Sequence, residues 1–292
     1  MIFVKFFVGL IIHYLINLFC LKNKFLINDS NYSNHKKLIN DSKNIVITGG
    51  LIFLIFFLFF TTFDFQLILF IFLIFLIDLF SDLKIINNPS LRLVLQTLIV
   101  LIFVKNLELD IVLTDLYYLD LLLKFKYFGL FFSAICILVL INGSNFIDGL
   151  NSLLLVYYIL VLLSIVGLTI YHSIAFDLSY IFNLILILSV VLVFNLLNFS
   201  FLGDSGAYSI SCLVGCLSIY YFKTVQDLSV LFIVIILWYP AFETLFSIIR
   251  KIIYKSQPSS PDNYHLHHKL FKYLFSRTKK KILIKYIICK FN

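Results

Sequence analysis

The sequence predicts an all-α bundle that crosses a membrane many times, and two observations carry that prediction. Of the 292 residues, 62% are hydrophobic and 13% charged, with a mean hydropathy of +1.04. A soluble domain is usually about 45–50% apolar and about 25% charged. A water-soluble domain of this size could not cover so many Phe, Ile and Leu side chains, so a cytoplasmic enzyme, a secreted scaffold and a disordered chain are excluded as wholes. The apolar residues also run on in long Ile/Leu/Phe stretches. A transmembrane helix needs about 20 such residues, whereas a membrane barrel alternates apolar and polar positions.

The runs give about nine spans, at roughly 2–21, 48–63, 65–81, 91–105, 126–143, 149–171, 179–198, 206–222 and 228–247. The first is followed by Cys20-Leu21-Lys22 and not by a small-residue cleavage site, so it is expected to stay as a span. His13 within it reads as an ordinary polar residue. The second and third are short and separated only by Thr61-Thr62-Phe63-Asp64. Residues 105–126 mix Glu108, Asp110, Asp115 and Asp120 with apolar residues, as a loop with a short hairpin or interfacial helix would. The spans and their loops form one expected domain over 1–280. The tail 281–292 is too short to span, and its Lys281, Lys285 and Lys290 suit an amphipathic helix on the membrane or a frayed end. The five cysteines lie mostly in apolar runs and read as small packing residues with no disulfide framework.

The net charge of +8 sits in a few loops, which argues for membrane topology and against nucleic acid. Nine spans put Lys22, Lys24, Lys36, Lys37, Lys43, Lys84, Arg92 and the basic residues from Arg250 to Lys280 on one side. Lys105, Lys124, Lys126 and Lys223 fall on the other. The basic excess marks the cytoplasmic side, with the amino terminus outside and the carboxyl terminus inside.

Charges inside or next to spans are costly and call for a reason. Four stations stand out, all at the expected cytoplasmic ends. They are Asp78 with Asp82, the stretch from Asn142 through Asn145 and Asp148 to Asn151, Gly203-Asp204-Ser205-Gly206, and His265, His267 and His268. Separated carboxylates with His and Lys on one face suit a divalent cation and a phosphate substrate, because magnesium takes one or two carboxylates together with substrate phosphates. Each station also has a plain reading taken alone. Asp82 can solvate a helix end, Asp204 can cap the next helix, the Asp148 segment can be a tight turn, and the histidines can be a surface tract or a transition-metal site.

Together the stations resemble the polyprenyl-phosphate N-acetylhexosamine-1-phosphate transferase family, over about residues 1–275. The His-x-His-His pattern at His265, His267 and His268 is closest to the undecaprenyl-phosphate α-N-acetylglucosaminyl 1-phosphate transferase branch. The first loop resembles the family's in Asp29, Asn31, His35, Lys36 or Lys37, and Gly49-Gly50. Ser81-Asp82 stands where the family has two aspartates, with Asp78 one turn earlier, and Arg92 and Gln96 match the family's Arg and Gln. Asn142, Asn145, Asp148, Gly149 and Leu150 match the next motif, with Asn151 where a second Asp is frequent. Gly203-Asp204-Ser205-Gly206 matches the stretch whose Asp is implicated in binding magnesium.

The resemblance implies a magnesium-dependent (or manganese-dependent) phosphoglycosyl transferase. The donor would be a UDP-N-acetylhexosamine, UDP-N-acetylglucosamine by default, and the acceptor undecaprenyl phosphate. The acceptor phosphate attacks the β-phosphorus, UMP leaves, and a lipid-linked envelope glycan begins, such as the O antigen of lipopolysaccharide. Asp204 would hold the metal, Asp148 would anchor or deprotonate, and Asp82 would hold the acceptor or its proton. A phosphate monoester has a second pKa near 6, so a strong base is not compulsory. Lys36, Lys37, Asn142, Asn145, Asn151, His265, His267 and His268 are the expected substrate contacts. The composition, rich in Ile, Phe, Lys and Asn, suits an AT-rich bacterial genome. The resemblance, with the basic bias of the loops, implies a bacterial inner-membrane protein with its site facing the cytoplasm. A homodimer is permitted and not required. Two other classes stay open. A non-catalytic relative in an assembly complex is suggested by Ser81 and Asn151, and a lipid-substrate transporter would need midplane carboxylates and an inverted repeat.

Overall fold

The computed structural model describes residues 2–27, 45–61, 63–86, 88–150, 152–225, 228–229, 231–254, 265–267, 269–270 and 273. The tail 281–292 lies outside them. Among the described residues there are eleven helices and no strand. They are α1 (Ile2–Lys22), α2 (Gly49–Phe60), α3 (Phe65–Asp82), α4 (Pro89–Asn106), α5 (Tyr117–Leu123), α6 (Lys126–Ile147), α7 (Leu153–Tyr171), α8 (Ser179–Leu196), α9 (Gly203–Thr224), α10 (Leu231–Ile236) and α11 (Trp238–Ile253). Seven of these, α1, α3, α4, α6, α7, α8 and α9, are long and apolar enough to cross a membrane. The chain is a multi-pass all-α membrane protein.

Two of the nine expected spans take a different form. The second is α2, whose 12 apolar residues extend about 18 Å at 1.5 Å per residue. The ninth is broken into α10 and α11 at Leu237. Pro240 is the physical cause: it has no N–H to give the Ile236 carbonyl, which a continuous helix would require. That carbonyl accepts instead from the Tyr157 hydroxyl at 2.5 Å. The α11 backbone then passes very close to α6, because a Cβ added at Gly143 would lie 2.0 Å from the Pro240 carbonyl oxygen. The acid-containing loop does carry a short helix, α5, before α6 begins.

Other boundaries follow local chemistry. Asp64 caps α3 by accepting from the Gln66 amide at 3.3 Å. Asn88 caps α4 by accepting from Ser90 at 3.0 Å, and Pro89 sits at the first position, where a missing N–H costs nothing.

The centre of the bundle is α9, buried almost throughout and packed on α2, α3 and α6. Its small residues allow this. A Cβ added at Gly50 would lie 2.5 Å from the Gly206 backbone nitrogen, so α2 and α9 meet backbone to backbone. Stacked Phe70 and Phe103 rings, 4.9 Å apart, join α3 to α4.

One end of the bundle is stitched together by the segment just before α9. Phe201 N–H donates to the Val46 carbonyl, Gly49 N–H to Phe201, and Gly50 N–H to Leu202. Ile47 N–H donates to Leu26. Below these lies a buried polar cluster. Thr48 donates to Asn17, the Thr48 and Ser200 hydroxyls are 2.8 Å apart, and Asn195 donates to the Ser200 carbonyl at 3.1 Å. Both flanks of residues 28–44 are therefore fastened beside the start of α9.

Candidate functional site

The site is built around the N-terminus of α9. The first amides of a helix have no partner within the helix and need an acceptor. The residue before Gly203 is Leu202, which offers no side-chain cap. The acceptor comes from α3. Asp82 Oδ1 accepts from the Asp204 amide at 3.0 Å, and its Oδ2 accepts from the Ser205 amide at 3.0 Å and the Ser205 hydroxyl at 2.7 Å. Negative charge at this end of a helix is favoured by the helix dipole. Gly203 makes the approach possible: its φ is +80°, and a Cβ there would lie 2.9 Å from Asp82 Oδ2. Both oxygens of Asp82 are thus committed to shaping the loop that presents Asp204.

Asp204 meets the next component. Arg92, from the first turn of α4, donates from Nη1 to Asp204 Oδ2 at 2.6 Å and to Ser81 Oγ at 3.0 Å. Its Nη2 donates to the Tyr208 hydroxyl at 2.8 Å, and its guanidinium lies 4.9 Å from the Tyr208 ring centroid. Asn145 Nδ2 donates to the same Tyr208 oxygen at 2.8 Å. A buried phenol therefore joins Arg92 on α4 to Asn145 on α6. Ser81, at the position of the family's other aspartate, accepts from Arg92. Asp78, one turn back, is fully buried and accepts from Gln96 at 2.8 Å, apart from the exposed part of the site.

A third component packs against the end of α6. Glu243, buried on α11, accepts from the Leu266 amide at 2.8 Å and pairs with His265 Nδ1 at 2.9 Å. His267 Nδ1 lies 3.0 Å from the Tyr239 hydroxyl, and the His265 ring stacks on Phe146 at 4.9 Å. His265 and His267 are both buried. Burial alone would raise the Glu243 carboxyl, but the His265 ring and the Leu266 amide outweigh it and hold it below the usual carboxylate range. The last loop is thereby clamped to the end of α6, two residues before Asp148.

The expected site residues distribute as follows. Asp82, Asp204 and Asn145 come together in one bonded cluster. Asn142 donates to its own helix at the Leu138 carbonyl, 2.8 Å away. Asp148 caps the end of α6 by donating its amide to Ser144 at 3.0 Å. His265 and His267 bond to α11. Lys36, Lys37, Asn151 and His268 lie outside the described residues.

Among the described residues, no three His, Cys, Asp or Glu side chains form a ready cage. Magnesium does not need one, since it keeps several waters and binds one or two carboxylates with substrate phosphates. Asp204 fits that requirement. Its side chain is 36% exposed, and Arg92 takes only Oδ2.

Residues 64–222, more than half the chain, match the family described as glycosyl transferase family 4. The chain belongs to that family. The matched region runs from the cap of α3 almost to the end of α9, and so contains Asp82, Arg92, Asn145, Asp148, Asp204 and Tyr208. Among curated relatives, a probable undecaprenyl-phosphate N-acetylglucosaminyl 1-phosphate transferase of Bacillus subtilis is 36% identical over 160 residues. That match covers 50% of this chain and 41% of the relative. An undecaprenyl-phosphate α-N-acetylglucosaminyl 1-phosphate transferase of Thermotoga maritima is 29% identical over 139 residues, 47% of this chain and 41% of the relative. The matched part spans about two fifths of each relative's length.

Tyr208 and Glu243 are members of these clusters that the motif pattern does not single out. Tyr208 lies in an apolar run and looks like a packing aromatic. Glu243 is a lone acid inside an expected span, and that is the signal that marks it. Arg92 matches the family pattern, and its bonds to Asp204, Ser81 and Tyr208 are visible only in the fold.

Proposed function

We propose that this protein transfers N-acetylhexosamine 1-phosphate from a UDP-N-acetylhexosamine to undecaprenyl phosphate and releases UMP. N-acetylglucosamine is the favoured sugar, since both relatives are named for it. The observation that carries this reading is the cluster at the start of α9, where Asp82, Ser205, Asp204, Arg92, Tyr208 and Asn145 interlock at one end of a membrane bundle. A lipid phosphate held at a bilayer surface and a water-soluble donor can meet only at such an end. The basic excess of the loops there supports a cytoplasmic site in a bacterial inner membrane.

In this reading Asp204 would hold magnesium, which would offset charge on the donor diphosphate. Asp82 fixes the loop that aims Asp204. Asn145, turned by Tyr208, and Asn142 and Asn151 contact the donor. Asp148 lies at the end of α6 to anchor the acceptor phosphate or take its proton. Lys36, Lys37 and the His265–His268 segment contribute charge-assisted hydrogen bonds to phosphate. The acceptor oxygen forms its bond to the β-phosphorus as the bond to the UMP oxygen breaks, so phosphorus keeps its valence and UMP carries away the electron pair.

The test is formation of the lipid-linked sugar by purified protein in detergent with undecaprenyl phosphate, magnesium and a panel of UDP-N-acetylhexosamines. Product from one donor, with one UMP per lipid, is expected. Absence of product across the panel from folded protein would overturn the reading.

A further inference from the structure

We propose that Arg92 is the resting counter-ion of Asp204 and sets the affinity of this carboxylate for a divalent cation by competing for it. The inference rests on the cation reading of Asp204 given above. Three observations carry it. Arg92 Nη1 is 2.6 Å from Asp204 Oδ2, with the two side chains 17% and 36% exposed, so the pair is partly withdrawn from water. The guanidinium is held in place from two other sides, by Ser81 Oγ at 3.0 Å and Tyr208 Oη at 2.8 Å, so it is not a loosely swinging surface charge. The neighbouring carboxylates are spoken for: Asp82 caps α9 with both oxygens, and Asp78 is buried against Gln96. Asp78 Oδ2 has no hydrogen-bond partner but is sealed from solvent, so Asp204 is the acid of this cluster that a cation can reach from water, and Arg92 is its bonded cation.

A guanidinium and a divalent ion on one half-buried carboxylate repel each other across a few ångströms. At that range the repulsion is large compared with thermal energy unless water screens it. Either the cation binds weakly at Oδ1 beside Arg92, or it draws Asp204 away from Arg92. Both routes make the guanidinium a brake on cation binding. A serine at position 81 strengthens the brake, because it accepts from Arg92 without supplying a charge that would compete with Asp204 for it.

The experiment is direct binding of manganese, followed by the loss of the free-ion electron paramagnetic resonance signal, with no nucleotide or lipid present. Wild type, Arg92→Gln, Arg92→Lys and Asp204→Asn are compared in the same detergent, after thermal unfolding has shown each to be folded. The Asp204-dependent dissociation constant is expected to fall about tenfold in Arg92→Gln, a change of about 1.4 kcal/mol. In Arg92→Lys, which keeps the charge and loses the fork of donors, it is expected to fall about threefold. The lysine variant carries the test if the glutamine variant does not fold. Binding that appears only in the Arg92 variants would support the proposal in its strongest form. Asp204-dependent binding that is unchanged or weaker in the folded Arg92 variants would overturn it and leave the cation reading standing. No Asp204-dependent binding in any of the proteins would overturn both.

Discussion

The two ends of α9 carry similar charged chemistry and differ in what surrounds it. At the N-terminal end, Asp82, Asp204 and Arg92 are partly or wholly withdrawn from water, and each oxygen of Asp82 has a partner. At the C-terminal end, Lys223 bonds Asp110 and the Glu108 carbonyl, both at 2.6 Å, while Lys126 pairs with Glu108 at 3.1 Å. The Lys126 and Glu108 side chains are 60% and 66% exposed. Exposed ion pairs contribute roughly 0–1 kcal/mol, whereas removing one partner of a buried pair costs about 3–5 kcal/mol. Neither short distances nor the burial of the pair on α9 distinguishes the two ends, since Lys223 and Asp110 are 35% and 15% exposed, much as Arg92 and Asp204 are. The number of otherwise orphaned amides that depend on one carboxylate does, because Asp82 alone accepts from the Asp204 and Ser205 amides.

Asp82→Asn should break this contrast most severely. It turns an NH2 group toward at least one of the donors that Asp82 now accepts, and hydrogen bonds to a charged group are worth about 1.5–3 kcal/mol each. Thermal unfolding in detergent should show a marked loss of stability, and UMP release should fall more than about a hundredfold. Tyr208→Phe comes next. It keeps the ring beside Arg92 and removes the oxygen shared by Arg92 and Asn145, so turnover should fall about tenfold for the loss of about 1.4 kcal/mol of positioning, with the unfolding temperature moved only slightly.

Glu243→Gln should act through pH. The folded carboxyl lies below its ordinary value, so its contribution is present above the unfolded value, near about 4.3, and is lost as pH falls through the lower folded value. Wild type should therefore lose more stability than the glutamine variant as pH drops below about 4.5. Thermal unfolding across a pH series reads this difference. Lys223→Met should do least to turnover, with UMP release within about twofold, and any loss of stability should come from leaving the 15% exposed Asp110 without its cation.

The membrane-length helices were legible because hydropathy summed over about 20 residues is a strong signal. The broken ninth span was not, although Pro240 marked the place. A proline becomes a break only when something else takes the freed carbonyl, and Tyr157 is 79 residues away. In the site, Asp82, Asn145 and Asp204 stood out as polar residues at span ends. That Asp82 caps α9 could not be read, because its partners lie 122 and 123 residues further on. The sequence did hold a hint of it: Leu202 leaves α9 without a local cap. The same logic applies to Glu243, an acid in an apolar run whose partners become visible only when the last loop folds back.

The proposed chemistry resides at the Asp204 end of α9. The most direct measurement is UMP release from UDP-N-acetylglucosamine and undecaprenyl phosphate by wild type, Asp204→Asn and Lys223→Met, each shown to be folded. Turnover by wild type and Lys223→Met, with almost none by Asp204→Asn, is expected. Wild-type turnover in Asp204→Asn would contradict it.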